Sequence, residues 1–228
     1  MIFLTADPHG DYQYIANFCR NNKTSDKDVI FILGDMELNT GIPTIDSDRK
    51  RILSELPITF LCIHGNHEIR PNNISSYEKL TLYGANVLYE KNYKNIFFVN
   101  DAEICKIENK TFLIIGGAYS PTRLLDRYSN DLFCDDEQPS DFSLDKIDNL
   151  CNSYLNVDFV LSHTCPFKHI PYDACTLPID QSKVDRTTEK RLQKIYDHLS
   201  FSHWYCGHYH TERTTGKVSF LYKSITHV

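Results

Sequence analysis

The chain has 228 residues, a hydrophobic fraction of 41%, a charged fraction of 24% and a formal net charge of −6. That composition is ordinary for a globular protein and excludes intrinsic disorder, while the acidic balance makes long nucleic acid an unexpected partner, because few phosphate counterions would be released. No apolar run reaches the length that spans a bilayer, and a start that lacks a basic region and turns polar at Asp7 does not read as a signal peptide.

The first elements follow a strand-helix alternation. Met1–Ala6 reads as a buried strand, then Tyr12–Asn21 as a helix with Ile15 and Phe18 on one face. Val29–Leu33 is the second strand, Ser47–Leu56 the second helix and Ile58–Ile63 the third strand. This order predicts a parallel sheet with right-handed crossovers. A third helix is expected over Ile74–Tyr83.

The middle of the chain turns to short strands at Val87–Tyr89, Ile96–Val99, Ile104–Ile107 and Thr111–Ile115, with a tight hairpin at Glu108-Asn109-Lys110. A long polar segment, Ala118–Asp141, has no clear period, and segments of that kind are often functional. Ser143 is expected to cap a helix that turns Leu144, Ile147, Leu150 and Cys151 inward. Phe159–Ser162, Trp204–Cys206 and Val218–Tyr222 read as strands, and Glu189–Leu199 as an amphipathic helix. One domain, 1–228, is expected, an α/β fold with two sheets face to face and helices outside. Eight scattered cysteines with no Cys-x-x-Cys pair point to reduced thiols in a cytoplasm.

Five polar clusters each follow an expected strand: Asp7-Pro8-His9-Gly10, Gly34-Asp35, His64-Gly65-Asn66-His67-Glu68, His163, and Gly207-His208-Tyr209-His210. Ligand sites of α/β sheets lie beyond the carboxyl ends of strands, so clusters far apart in sequence can meet on one rim. Asp7 and His9 are two apart, as are His208 and His210, a spacing that puts both side chains on one side of an extended backbone. Carboxylate and imidazole without thiolate suit divalent Mn, Fe, Zn or Ni. Two such ions activate a water and hold both ends of an in-line displacement at phosphorus.

Taken together, Asp7-x-His9, Gly34-Asp35, Gly65-Asn66-His67, His163 and Gly207-His208-x-His210 resemble the motif series of the calcineurin-like metallophosphoesterase superfamily. The resemblance runs over nearly the whole chain and implies a four-layer α/β-β/α sandwich of two mixed β-sheets flanked by helices. It implies that Asp7, His9, Asp35 and His210 hold one metal, and that Asp35, Asn66, His163 and His208 hold the other, with Asp35 as the bridge. By the same resemblance His67 faces the leaving-group oxygen and acts as general acid or stabilises charge there. The implied reaction is hydrolysis of a phosphate ester by a metal-bridging hydroxide, with manganese the expected ion.

The match departs from one branch. Gly65-Asn66-His67-Glu68 resembles the Ser/Thr protein phosphatases, but their Gly-Asp-x-x-Asp-Arg-Gly is here Gly34-Asp35-Met36-Glu37-Leu38-Asn39-Thr40. The second aspartate and the phosphate-gripping arginine are both replaced. Arg70, Arg123 and Arg127 stand as candidates to grip phosphate, because guanidinium offers a bidentate fork. A small phosphodiester or nucleotide-like substrate is therefore expected, with a phosphomonoesterase acting on phosphoprotein as the alternative. A non-catalytic interaction module on the same sandwich is a third reading, which metal analysis would discriminate.

Overall fold

A computed structural model describes residues 1–125, 134–152 and 156–228. Three strands alternate with two helices at the start: β1 (Ile2–Thr5), α1 (Gln13–Asn22), β2 (Val29–Leu33), α2 (Pro43–Ser54) and β3 (Thr59–Ile63). β1 pairs with β2, and β2 with β3, all parallel. The strands are short continuous apolar runs because both of their faces are covered. Val29, Phe31 and Leu33 of β2 pack in one cluster, and the intervening Ile30 and Ile32 in another with Ile15 of α1 and Leu53 of α2.

A meander follows, β4 (Glu78–Leu82), β5 (Ala85–Tyr89) and β6 (Ile96–Val99). β6 lies parallel to β3, so the first sheet runs on as β3-β6-β5-β4. The chain then builds a second sheet from β7 (Glu103–Ile107), β8 (Lys110–Ile115), β9 (Asn156–Ser162), β10 (Ser200–Cys206), β11 (Arg213–Thr215) and β12 (Val218–Phe220). Helices α3 (Asp141–Asn152) and α4 (Thr187–His198) flank this sheet. A last strand, β13 (Thr226–His227), returns to pair antiparallel with β1.

Among the described residues the sheets have seven strands, β13-β1-β2-β3-β6-β5-β4, and six, β11-β12-β10-β9-β8-β7. Both are mixed. Their inner faces share one core, in which Phe31 meets Phe112 at 5.1 Å between ring centres. The outer face of the second sheet buries Trp204 and Val160 with Leu144, Ile147, Leu192 and Ile195 of α3 and α4. The layers are thus helix, sheet, sheet, helix, the sandwich expected from the sequence.

Two elements differ from expectation. Of the stretch read as a helix at 74–83, residues 78–82 form β4, an edge strand with Leu80 exposed. Ile74, Tyr77 and Leu80 mimic a helical spacing, but pairing with β5 prevails. The two-residue turn between them, Tyr83-Gly84, has φ of 52° and 79°, the left-handed pair that joins twisted hairpins. Helix α3 begins at Asp141, two residues before Ser143, and Ser140 Oγ accepts the Ser143 backbone N–H at 3.3 Å. The hydroxyl that closes the helix start is therefore Ser140. The side chain of Cys151 lies outside the described residues, as does Arg127.

Candidate metal centre

The loops after β1, β2, β3, β9 and β10 converge. Backbone bonds fix their spacing: His9 N–H donates to Asp35 C=O at 3.0 Å, and Gly207 N–H to His163 C=O at 2.8 Å. The turns are tight enough to strain the chain. Among the described residues, six of the eleven non-glycine positions with positive φ are Asp7, His9, Asp35, Glu37, His208 and His210. Left-handed backbone at side chains of this kind persists only where surrounding structure forces it, and it concentrates at functional sites. At two positions only glycine fits. A Cβ on Gly34, whose φ is 95°, would stand 2.0 Å from His163 Nδ1, and one on Gly65 would stand 2.1 Å from Asp35 Oδ1.

Asp35 sits at the centre, almost fully buried. Its Oδ1 accepts the backbone N–H groups of Asn66 at 2.8 Å and His67 at 3.0 Å. Oδ1 lies 3.6 Å from His163 Nε2, and Oδ2 lies 3.5 Å from His9 Nε2. Each carboxylate oxygen therefore addresses a different group. On the first side, ligand atoms of Asp7, His9, Asp35 and His210 all lie within 4.8 Å of one another, and His9 Nε2 faces His210 Nε2 at 2.9 Å. On the second, Asn66 Oδ1 faces His163 Nε2 at 2.8 Å and His208 Nδ1 at 2.9 Å.

Two observations fit this pocket to cations. His163 Nδ1 must donate to the Leu33 carbonyl, 2.8 Å away, so the neutral ring turns a lone pair at Nε2 toward the Asn66 amide oxygen. Burial pushes the His163 pKa down. Acceptor against acceptor at that distance is repulsive without a cation. Asp7 supplies the second sign. Its Oδ2 accepts the His208 N–H at 2.8 Å, while Oδ1 is buried with no hydrogen-bond partner. Orphaned buried oxygens of this kind call for a ligand. Burial, then the charge of Asp35, pushes the Asp7 carboxyl well above its ordinary value. Burial acts on Asp35 in the same sense, but the imidazoles of His163, His67, His9 and His208 outweigh it and hold that carboxyl low.

The remaining candidates divide. The His67 ring stands edge-on to His9, 5.4 Å between centres, and borders a cleft of about 310 Å³ beside the metal-type residues. Arg70 turns elsewhere: its Nη1 pairs with Asp101 at 2.6 Å and its Nε donates to the Asp136 carbonyl. Arg123 pairs with Glu137 at 3.0 Å. Neither arginine borders the cleft, although Pro121 and Thr122 of the polar segment do.

Sequence reasoning missed the residues that support the candidate ligands. Glu37 accepts from His9 Nδ1 at 2.9 Å. Ser120 Oγ accepts from Asn66 Nδ2 at 2.9 Å, which turns the amide oxygen toward the imidazoles. The ring of Tyr222 stacks on His210 at 4.7 Å. The fully buried Glu68 accepts backbone N–H groups of Leu38 and Gly65 and ties the β2 and β3 loops together. Its position after Asn66-His67 was the only sequence signal for any of these four.

A family model described as calcineurin-like phosphoesterase matches residues 1–212. No curated protein matches the chain. Among solved structures, the chain is similar to phosphopantetheinyl hydrolase (PptH) from Mycobacterium tuberculosis, with 12% identity, coverage of 97% of this chain and 87% of that one, and a TM-score of 0.45. It is also similar to the protein of unknown function AQ665 from Aquifex aeolicus, with 14% identity, coverage of 72% and 80%, and a TM-score of 0.33.

Proposed function

Given that the chain belongs to the calcineurin-like phosphoesterase family, we propose that it hydrolyses a small phosphodiester or nucleotide-like substrate at a dinuclear centre. Family membership makes it a metal-dependent hydrolase of phosphate esters. The observation that carries the dinuclear reading is the placement of Asp35, with one carboxylate oxygen toward His9 and the other toward His163. Asp7, His9, Asp35 and His210 would hold one ion; Asp35, Asn66, His163 and His208 would hold the other. Their oxygen and imidazole donors suit manganese, and also iron, zinc or nickel. Residues 1–228 would act as one domain, since Leu221 and Val228 pack in the same core as Ile2 and Leu4.

When bound, two divalent ions supply Lewis acidity and an activated water. The chain's own groups do the rest. Asn66, turned by Ser120, and Asp35, held by two N–H groups, stay fixed as charge develops at phosphorus. The His67 imidazole, at the cleft edge, passes a proton to the departing alkoxide oxygen. A cleft of about 310 Å³ is at the lower end of small-ligand pockets, roughly 300–1,000 Å³, which favours a small ester over a phosphoprotein. No described helix is long and apolar enough to cross a membrane. The seven described cysteines are free thiols, which supports a reducing compartment.

The test is turnover of bis-p-nitrophenyl phosphate against p-nitrophenyl phosphate with added manganese, beside Asp35→Asn and His67→Ala. The diester should be preferred. Asp35→Asn should abolish turnover and reduce bound metal, and His67→Ala should lower turnover by about 10²–10⁴ with metal retained. Full activity and full metal content in Asp35→Asn would refute the assigned bridge.

A further inference from the structure

The cleft has a second wall that none of the motifs explains. It comes from the segment between β9 and α4, residues 174–181, and faces the side bordered by Asp35, His67, His208 and His210. The burial of this segment alternates. Cys175, Leu177 and Ile179 are half-buried and border the cleft, as do Ala174 and the exposed Thr176, while Pro178 and Asp180 are exposed and do not. Ile179 N–H donates to the Leu177 carbonyl at 2.8 Å, a three-residue turn at Pro178 that leaves Leu177 and Ile179 as one apolar edge on the cleft. Here that edge is turned to an open cleft instead of to the core.

The wall is tied at both ends. Arg213 Nη1 grips both carboxylate oxygens of Asp173 at 2.9 Å. Beyond Ile179, Arg186 Nη2 donates to Gln181 Oε1 at 2.7 Å, and Asp180 Oδ1 accepts the Ser182 N–H at 3.0 Å. Arg186 is itself buried, braced by Glu189 and the Tyr209 hydroxyl. Because Tyr209 stands between His208 and His210, the brace links the wall to the metal-type loop. Pro121 closes the cleft with a further apolar surface.

We propose that Leu177 and Ile179 are specificity-determining residues, and that their edge binds an uncharged apolar or aromatic group esterified to the phosphate. The substrate class is then a phosphate ester with a hydrophobic or planar substituent, seated between this wall and the imidazoles. This rests on the phosphoesterase reading for the phosphate end alone. The apolar end follows from the turn at Pro178, the tied ends and the continuity of the wall with the metal-type residues. The segment carries no lysine or arginine between Ala174 and Gln181, and Arg186, which also borders the cleft, is paired with Glu189 at 3.3 Å.

Binding of two non-hydrolysable probes to the manganese-loaded protein tests it. Phenylphosphonate and methylphosphonate share the phosphonate and differ in the apolar group. Calorimetry should show phenylphosphonate binding about tenfold more tightly or better, as expected for a ring that buries part of its face. Leu177→Ala and Ile179→Ala should each reduce that ratio to about threefold or less, with methylphosphonate affinity kept within about twofold. Equal affinity for the two probes in the unaltered protein would overturn the proposal. So would variants that weaken both probes alike, or an absence of binding by either probe. A protein that shows the preference and hydrolyses no ester retains the wall and loses the hydrolase reading. One that hydrolyses esters without the preference loses the wall alone.

Discussion

Glu37 holds the imidazole of His9 through a 2.9 Å hydrogen bond from Nδ1 to its carboxylate oxygen Oε1. Arg49 grips the other oxygen, Oε2, at 3.0 Å and also donates to the Glu37 carbonyl at 2.8 Å. The carboxylate can only accept, so Nδ1 carries the proton and Nε2 is left free toward Asp35 and His210. Outer carboxylates that fix a ligating histidine are typically worth about 10–100-fold in metal affinity. Glu37→Ala should weaken manganese binding by about that factor in a calorimetric titration, with the fold intact. Glu37→Gln keeps an accepting oxygen and should lose less. Unchanged affinity in Glu37→Ala would show that Arg49 and Glu37 serve the loop alone.

The orphaned oxygen of Asp7 makes the metal-free protein less stable than its core allows. Neutralising it removes repulsion with Asp35 while Asn can still accept the His208 N–H. Asp7→Asn should therefore raise the melting temperature of EDTA-treated protein by about 2–4 °C, the shift that ~1 kcal/mol produces in a chain of this size. Added manganese should raise the melting temperature of the unaltered protein, because an ion that binds only the folded state stabilises it. The variant should lose most of that increment. An unaltered protein whose melting point ignores manganese would contradict the donor geometry.

Gly65→Ala tests the closeness of the β2 and β3 loops. The added methyl would lie 2.1 Å from both the Asp35 backbone nitrogen and Oδ1. One loop must move, at a cost of roughly 2–3 kcal/mol. Denaturant unfolding should show that loss, and metal binding should fall with it. A variant with full stability would mean that the loops are further apart than described.

The strands were legible because apolar runs buried on both faces stand out from polar loops: Val29–Leu33 is both the run and the strand. The convergence of the polar clusters was legible because the fold places each of them just after a strand. What failed was governed by tertiary pairing. Strand β4 has only solvent on much of its surface, so its residues carry no alternation, and nothing local opposed a helical reading. Arg70 lies three residues past His67, yet Asp101, thirty-one positions on, turns it away. Glu37 occupies a position the motif leaves open, and its aim at His9 depends on left-handed backbone at 35 and 37 that composition does not encode. The wall at 174–181 alternates over too few residues to separate from chance.

One pH effect lies away from the site. Glu103 is partly buried, which by itself raises its pKa, but the ion pair with Lys146 and the N–H groups of Asn86 outweigh this and lower it below 4.5. A depressed carboxyl stabilises the fold above its unfolded pKa and loses that contribution as pH falls through the folded value. Glu103→Gln should thus lower the urea midpoint at pH 7, and the gap to the unaltered protein should narrow as pH falls below about 4.5. A gap that persists at the lowest pH would assign the effect to packing.

The most direct measurement is anomalous scattering from crystals of the protein grown with manganese. Two peaks are predicted, one among Asp7, His9, Asp35 and His210 and one among Asp35, Asn66, His163 and His208, with Asp35 touching both. A single peak, or peaks that leave Asp35 without contact, would contradict the shared carboxylate on which the proposed chemistry depends.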